Sequence, residues 1–309
     1  MKLIKPSFEI WEQPTGLEGV YKQIERVGRV CYKSEDKITE DSAKPFVDRM
    51  IKSGHGAMLE HGTVYLFCPT EEYVDSNGDV QYYNPLEKYQ NNNYSALVDS
   101  NEGIYVTTNL RVLVENGWMG DLQYLCEPTE FHEKRITVHF VCDRGVSHEF
   151  VRHRVMSFAQ ESTRYCNYSK DKFGNELTFI IPEWCPEIRE GSNKGWDPCS
   201  IYDKLYLQHL QNAENTYFAL LKQWDERVPD KRYKSGFKNN PWTPQQARAV
   251  LPNSLKTELV VTGFTSDWNH FFDLRARGTT GAPHPQAKEL AEPLMEEFVT
   301  RKYINNQNN

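Results

Sequence analysis

The sequence predicts an α+β protein. Helical spacing of apolar residues marks long amphipathic helices at Thr15–Tyr32 and Ile201–Val228, and period-two runs rich in β-branched residues mark strands at Ile136–Val141 and Thr257–Phe264. A turn-forming Asp75-Ser76-Asn77-Gly78-Asp79 between Tyr73-Val74 and Val80–Tyr83 adds a hairpin. At 309 residues the chain is long enough for one large domain or two small ones.

The elements follow in order. Leu3–Trp11 has strand composition. Leu17, Val20, Tyr21, Ile24, Val27 and Cys31 form the apolar face of the first helix. A second helix at Ser42–Ser53 turns Phe46, Val47, Met50 and Ile51 inward and stops at Gly54. Gly54–His61 carries His55 and His61 with Glu60 between them. That spacing suits neither an i,i+4 helical metal pair nor a finger, so the stretch reads as a helix-to-strand turn with polar caps, and no metal is expected. Thr63–Phe67 is a strand, Tyr89–Tyr94 a loop, Gly103–Thr108 a strand, and Leu110–Asn116 and Asp121–Cys126 short helices. Ile136–Val141 leads into a helix at Gly145–Val151 with Ser147 as N-cap. Past Arg154 the period is lost, which predicts a loop ending in a strand at Arg164–Tyr168. Leu177–Ile181 is a strand and Pro182–Pro198 a loop. The helix from Ile201 shows an apolar face of Leu205, Leu207, Leu210, Ala213, Tyr217, Leu220 and Leu221, and Lys231–Trp242 is a basic, polar connection. Thr243 caps and Pro244 opens a further helix. Ser266 caps one reaching about Arg277, with Trp268, Phe271, Phe272 and Leu274 as core. Gly278–Ala282 is a loop, and His284-Pro285-Gln286 opens a last amphipathic helix to about Tyr303.

Composition narrows the function. The net charge of −7 disfavours a general nucleic-acid binder while leaving room for a local basic pocket. No apolar run is long enough to cross a membrane, and Met1-Lys2-Leu3-Ile4-Lys5 lacks a signal core. Seven irregularly spaced cysteines with no Cys-x-x-Cys fit a reducing cytosol rather than a disulfide framework or a zinc site. A cytoplasmic location is therefore expected.

The chemistry concentrates at Arg152–Tyr165, where three arginines, a histidine, two serines, a glutamine and a glutamate occupy fourteen residues. Interleaved Val155, Met156, Phe158 and Ala159 pull the stretch inward, and buried arginines need anionic partners. A guanidinium donates in a rigid fork that suits phosphate and other planar anions. On the residues alone this is an anion pocket. Phe158 and Tyr165 could also stack bases, so a nucleotide- or RNA-binding module without catalysis is the alternative.

The stretch resembles the signature of the flavin-dependent thymidylate synthases: Arg-His-Arg, seven residues, Ser, then Arg-Tyr two residues on. Arg152-His153-Arg154, Ser162, Arg164 and Tyr165 match it without a gap. Three further stretches resemble that family in order: Gly54–His61, Ala247-Arg248-Ala249-Val250-Leu251-Pro252, and the helix carrying Leu274-Arg275. The resemblance implies a mostly antiparallel sheet flanked by helices, in one catalytic domain over residues 1–309. It covers about 15–68, 135–182 and 243–300, and leaves insertions at about 69–133 and 183–242. Whether the first insertion is a lid, a subunit contact or decoration stays open.

The resemblance also implies the reaction and its residues. dUMP becomes dTMP, with carbon from methylenetetrahydrofolate and hydride from NADPH through FAD, at sites between subunits of a homotetramer. Glu149, Arg152, Gln160, Glu161, Ser162, Thr163, Arg164, Arg248 and Arg275 would meet dUMP. His55, Ala57, Glu60, Arg152, His153, Arg154, Gln160, His270 and His284 would meet FAD. Arg275, against the uracil, would be the catalytic side chain, since a guanidinium near a carbonyl and a ring N–H favours the anionic base. The chain departs from the family pattern at Glu149, where glutamine is common, at Ala57, where a hydroxyl is common, and at Ser266, where an arginine can stand.

Overall fold

A computed structural model describes residues 1–189, 200–222 and 241–305. Its strands, numbered along the chain, are β1 (Lys2–Ile4), β2 (Ser7–Trp11), β3 (Thr63–Cys68), β4 (Glu71–Val74), β5 (Val80–Tyr83), β6 (Ala96–Ser100), β7 (Gly103–Asn109), β8 (Arg135–Asp143), β9 (Ser157–Gln160), β10 (Thr178–Ile180) and β11 (Lys256–Phe264). The helices are α1 (Gly16–Tyr32), α2 (Ala43–Ser53), α3 (Gly56–Leu59), α4 (Leu110–Asn116), α5 (Arg144–Phe150), α6 (Pro186–Arg189), α7 (Ile201–Leu221), α8 (Pro244–Ala247), α9 (Thr265–Phe272) and α10 (Pro285–Thr300). The chain divides into two compact units: a smaller one of Met1–Ser7, Val141–Glu149 and Glu161–Thr257, and a larger one of Phe8–Phe140, Phe150–Gln160 and Glu258 onward.

In the larger unit the main sheet runs β2-β8-β11-β9, and β9 lies antiparallel to β11 with Ala159 opposite Val260. A second antiparallel sheet runs β3-β7-β6. The amphipathic helices form as their spacing dictates. α1 leaves its last turn through Lys33 in the left-handed region, and α2 stops at Gly54, whose φ of 70° suits a residue without Cβ. Val20 and Ile24 of α1 pack with Phe46 and Val47 of α2, with Val64 and Leu66 of β3, and with Leu86, Tyr89, Ile104, Val106 and Leu113. Trp268, Phe271 and Phe272 of α9 gather with Phe140, Phe150 and Phe298 in a second, aromatic core. In the smaller unit β1 pairs in parallel with β10, and Tyr168, Leu177, Phe179, Leu210, Tyr217 and Leu255 form the core.

Several expectations are corrected. The strand falls inside the signature, at Ser157–Gln160, whose residues alternate between buried and half-buried, while the expected strand at 164–168 is turn and loop. Ser157-Phe158-Ala159-Gln160 carries no period-two alternation of apolar residues, and the strand is set by its pairing with β11. Asp143, not Ser147, caps α5: its Oδ1 accepts from the Val146 N–H at 2.8 Å, and the Ser147 hydroxyl donates to the Arg144 carbonyl. At α9 the carboxylate of Asp267 accepts from the Phe264 N–H, and Ser266 is occupied by Glu133 at 2.6 Å. Tyr89 lies in a 3₁₀ turn, Glu87–Asn91, and is fully buried with its hydroxyl on Asp121. Strand composition at Leu3–Trp11 resolves into two strands broken at Lys5-Pro6, since proline donates no ladder hydrogen bond. β6 was not anticipated. Leu205 points outward, 62% exposed, whereas Leu207, Leu210 and Tyr217 are buried. The proposed end of that helix at 223–228, and most of the loop to Pro198 and of the connection 231–242, lie outside the described residues.

Candidate active site

In the larger unit the signature begins as a tight turn. The Arg154 N–H reaches the Arg152 carbonyl at 3.0 Å, and the Met156 N–H reaches the His153 carbonyl at 3.0 Å. The turn drives His153 inward, to 5% exposure, and leaves Arg152 and Arg154 exposed. Arg275 comes from a different element, a π-helical turn at Asp273–Arg277 that continues α9 and ends at Gly278 with φ of 71°. Single π turns inside helices often mark functional sites. Arg275 Nε donates to His153 Nε2 at 3.2 Å. That bond requires an imidazole with a lone pair on Nε2, hence a neutral one. Burial, then the charge of Arg275 and then His270, push the His153 pKa down to about 4. His270 is exposed, with its ring 5.7 Å from that of His153. Arg277 is held by Asp273 at 2.7 Å, one turn back.

Other expected flavin residues of this unit are spread over further elements. His55 and Ala57 are exposed at the start of α3. Glu60 is spent on an ion pair with Arg111, which also holds Glu115. His284 is exposed at the N-terminal boundary of α10. Gln160 ends β9 opposite Leu259, and its backbone N–H donates to the sulfur of Cys31, whose thiol burial pushes up to about 11.

In the smaller unit the second half of the signature forms another turn. The Ser162 carbonyl accepts from Tyr165 and Cys166, and the Ser162 hydroxyl accepts from the Arg164 N–H. Arg164 is exposed, bonded through Nε to Gln245 at 3.1 Å. Arg248 Nη1 donates to Thr163 Oγ1 at 3.4 Å, which brings the Ala-Arg segment of α8 to the signature turn. α8 is a single turn capped by Thr243 and Gln246, and Arg248 opens the 3₁₀ turn Arg248–Val250. Two exposed guanidiniums and two hydroxyls thus share one loop cluster, an arrangement able to bind an anion. Glu161 is buried and already committed, with Lys256 at 2.9 Å and the Tyr168 hydroxyl at 3.0 Å on its two oxygens. Glu149 is half-buried in the last turn of α5. Lys256, Gln245, Arg111 and Arg135 were missed from sequence, because their partners lie far along the chain and no local pattern singles them out.

These features are those of an α+β protein whose clustered guanidiniums and hydroxyls could hold an anion. The comparisons are more specific. The sequence profile of the family described as "Thymidylate synthase complementing protein" matches residues 122–301, more than half of the chain. The chain belongs to that family, and with it to the methyl-transferring enzymes. It is 23% identical over 268 residues to a flavin-dependent thymidylate synthase of Corynebacterium aurimucosum, an alignment covering 86% of this chain and 72% of that protein. To the flavin-dependent thymidylate synthase of Thermococcus onnurineus it is 32% identical over 135 residues, 44% of this chain and 43% of the relative. Among solved structures it resembles a UMP/dUMP methylase PolB from Streptomyces cacaoi bound with 5-Br dUMP, at 16% identity, covering 97% of this chain and 93% of that one, with a TM-score of 0.39. Among the described residues no helix is long and apolar enough to cross a membrane.

Proposed function

We propose that this chain is a flavin-dependent thymidylate synthase, converting dUMP to dTMP with methylenetetrahydrofolate as carbon donor and NADPH as hydride donor. The observation that carries the reading is the Arg275–His153 pair, built from two separate signature elements. In the larger unit Arg152 and Arg154 supply exposed cationic donors that fit the pyrophosphate of FAD, and His55, His270 and His284 supply imidazole edges. FAD would carry reducing equivalents from NADPH. Ala57 would contact it through backbone, while Glu60 serves through Arg111. Arg164 and Arg248, with Ser162 and Thr163, hold the nucleotide phosphate in this reading. Glu149 faces base or ribose, because a carboxylate accepts from a base N–H and repels phosphate. Glu161 positions the loop through Lys256.

Arg275 polarises the uracil. His153, kept neutral, accepts from Nε without adding a second positive charge, so it orients the guanidinium without repelling it. A fixed cation beside a carbonyl and a ring N–H stabilises negative charge as it develops on the base. Folate docking and a homotetrameric assembly belong to the same proposal.

Two measurements test it. Protein incubated with FAD and desalted should keep a flavin band that NADPH bleaches faster when dUMP is present. Arg275→Ala should lower thymidylate formation about 100- to 1000-fold, the usual cost of one electrostatic donor, with an unchanged melting temperature. Wild-type turnover in that variant would remove Arg275 from the mechanism, and a protein that takes up no FAD would remove the flavin reading altogether.

A further inference from the structure

A cavity of about 340 Å³ lies in the larger unit, and none of the residues assigned above to nucleotide or flavin lines it. Its wall joins the start of β8, at Lys134, Arg135 and Thr137, to Thr63 and Tyr65 of β3 and to Tyr303 near the C-terminal end. The volume is at the lower end of small-molecule sites, which sets the size of the occupant.

Arg135 sets its charge. Nη1 donates to the Glu60 carbonyl at 2.9 Å and to Thr63 Oγ1 at 3.3 Å, and Nη2 donates to Ser157 Oγ at 3.4 Å. All three acceptors are neutral. The Glu60 carboxylate, the nearest acid along the chain from these acceptors, is taken by Arg111. Among the described residues no carboxylate pairs with Arg135, and its buried Nε has no acceptor. Burial lowers its pKa to about 10, outweighing the opposing charges of Tyr65, Glu60 and Asp267, none of which is in ion-pair contact with it. Lys134 beside it is exposed, with Nζ 5.8 Å from the Tyr303 ring. Two acids also line the cavity. Glu12, an exposed acid, shares Arg301 with Glu297, and Glu127 is the other.

We propose that this cavity is a second ligand site, one that takes a small aromatic monocarboxylate. The carboxylate balances Arg135 and Lys134, the hydroxyls of Thr63 and Thr137 complete its acceptor needs, and the ring lies among Tyr65, Tyr303 and Leu125. A phosphate dianion would overfill the charge next to Glu127, and a neutral ring would leave Arg135 without a counterion. Because the same guanidinium holds the Glu60 carbonyl, an occupant here bears on the turn that ends the Gly54–His61 stretch.

Benzoate is the probe. The full chain is titrated with benzoate, with its neutral isostere benzamide and with inorganic phosphate at constant ionic strength, following melting temperature and heats of binding. Benzoate should bind saturably and raise the melting temperature, and the other two should not. Lys134→Glu, on an exposed side chain, should weaken benzoate at least tenfold with the fold intact, and Arg135→Lys should do so more strongly if it folds. No saturable benzoate binding, equal binding of benzamide, or unchanged affinity in Lys134→Glu would each overturn the proposal.

Discussion

His153 and His61 are buried histidines whose surroundings forbid charge. His61 Nδ1 lies 2.8 Å from Thr262 Oγ1, which in turn lies 2.8 Å from Thr137 Oγ1, and burial followed by the charge of Arg135 lowers its pKa to about 3. His153 sits at about 4. Both folded values fall below the ordinary 6.5, so between those limits the unfolded chain binds protons that the folded chain refuses. The stability they contribute is present above pH 6.5 and is lost as pH falls through the window. Each adds a slope of up to about 1.4 kcal/mol per pH unit. From pH 6 to pH 5, above most carboxylate titration, denaturant melts should show stability falling by up to about 3 kcal/mol. His153→Asn should remove about half of that slope, and a variant with the wild-type slope would show that His153 protonates freely. At this scale the signature was legible because its residues are consecutive. The partners that give them roles were not. Glu161 is bound by Lys256, 95 positions away, and Glu60 by Arg111, 51 positions away, and only the fold brings those pairs together.

At the scale of elements, periodicity located α1, α2, α4, β3, β7, β8 and β11 to within a residue or two, because each buries a continuous face. It failed where pairing decides. β9 exists through its ladder to β11, and the π turn at Asp273–Arg277 inserts a residue that no 3.6 period can represent. Close packing of elements was likewise invisible. Gly28 of α1 faces Phe46 of α2, and a Cβ there would lie 2.6 Å from the ring Cζ. Two effects oppose each other in Gly28→Ala. Helix propensity favours alanine by about 1 kcal/mol, while overpacking a buried ring typically costs about 1–3 kcal/mol. Phe46 is only 6% exposed and has Arg29 over its face at 4.8 Å, so the ring has little freedom to yield. The clash should win, leaving a net loss of about 1–2 kcal/mol in chemical denaturation, partly recovered by adding Phe46→Leu. A Gly28→Ala protein more stable than wild type would mean that α1 shifts freely against α2.

For the whole molecule the decisive matter is what the segment 69–133 does. Its strands and helices were mostly legible in the sequence. Their place in the core was not, since burial depends on partners elsewhere in the chain. Leu86, Tyr89, Ile104, Val106, Leu110, Val112 and Leu113 share one core cluster with α1, α2 and β3. At about 1.5–3 kcal/mol for each buried side chain, those seven contribute roughly 10 kcal/mol or more, comparable to the whole stability of a typical domain. The segment is therefore part of the larger unit's core, with one exception. The hairpin β4–β5 is exposed at every strand residue, including Tyr73, Val74, Val80, Tyr82 and Tyr83. Its two ends are already tied, since Asn84 Nδ2 donates to the Cys68 carbonyl at 2.8 Å and to Thr70 Oγ1 at 3.3 Å. Replacing Glu71–Tyr83 by two glycines should keep one cooperative melt within a few degrees of wild type, while deleting 69–133 should yield no folded protein. Circular dichroism melts of the two deletions decide the matter. Collapse of the hairpin-less chain would mean that the exposed aromatics are covered in the working molecule and that its stability depends on that cover.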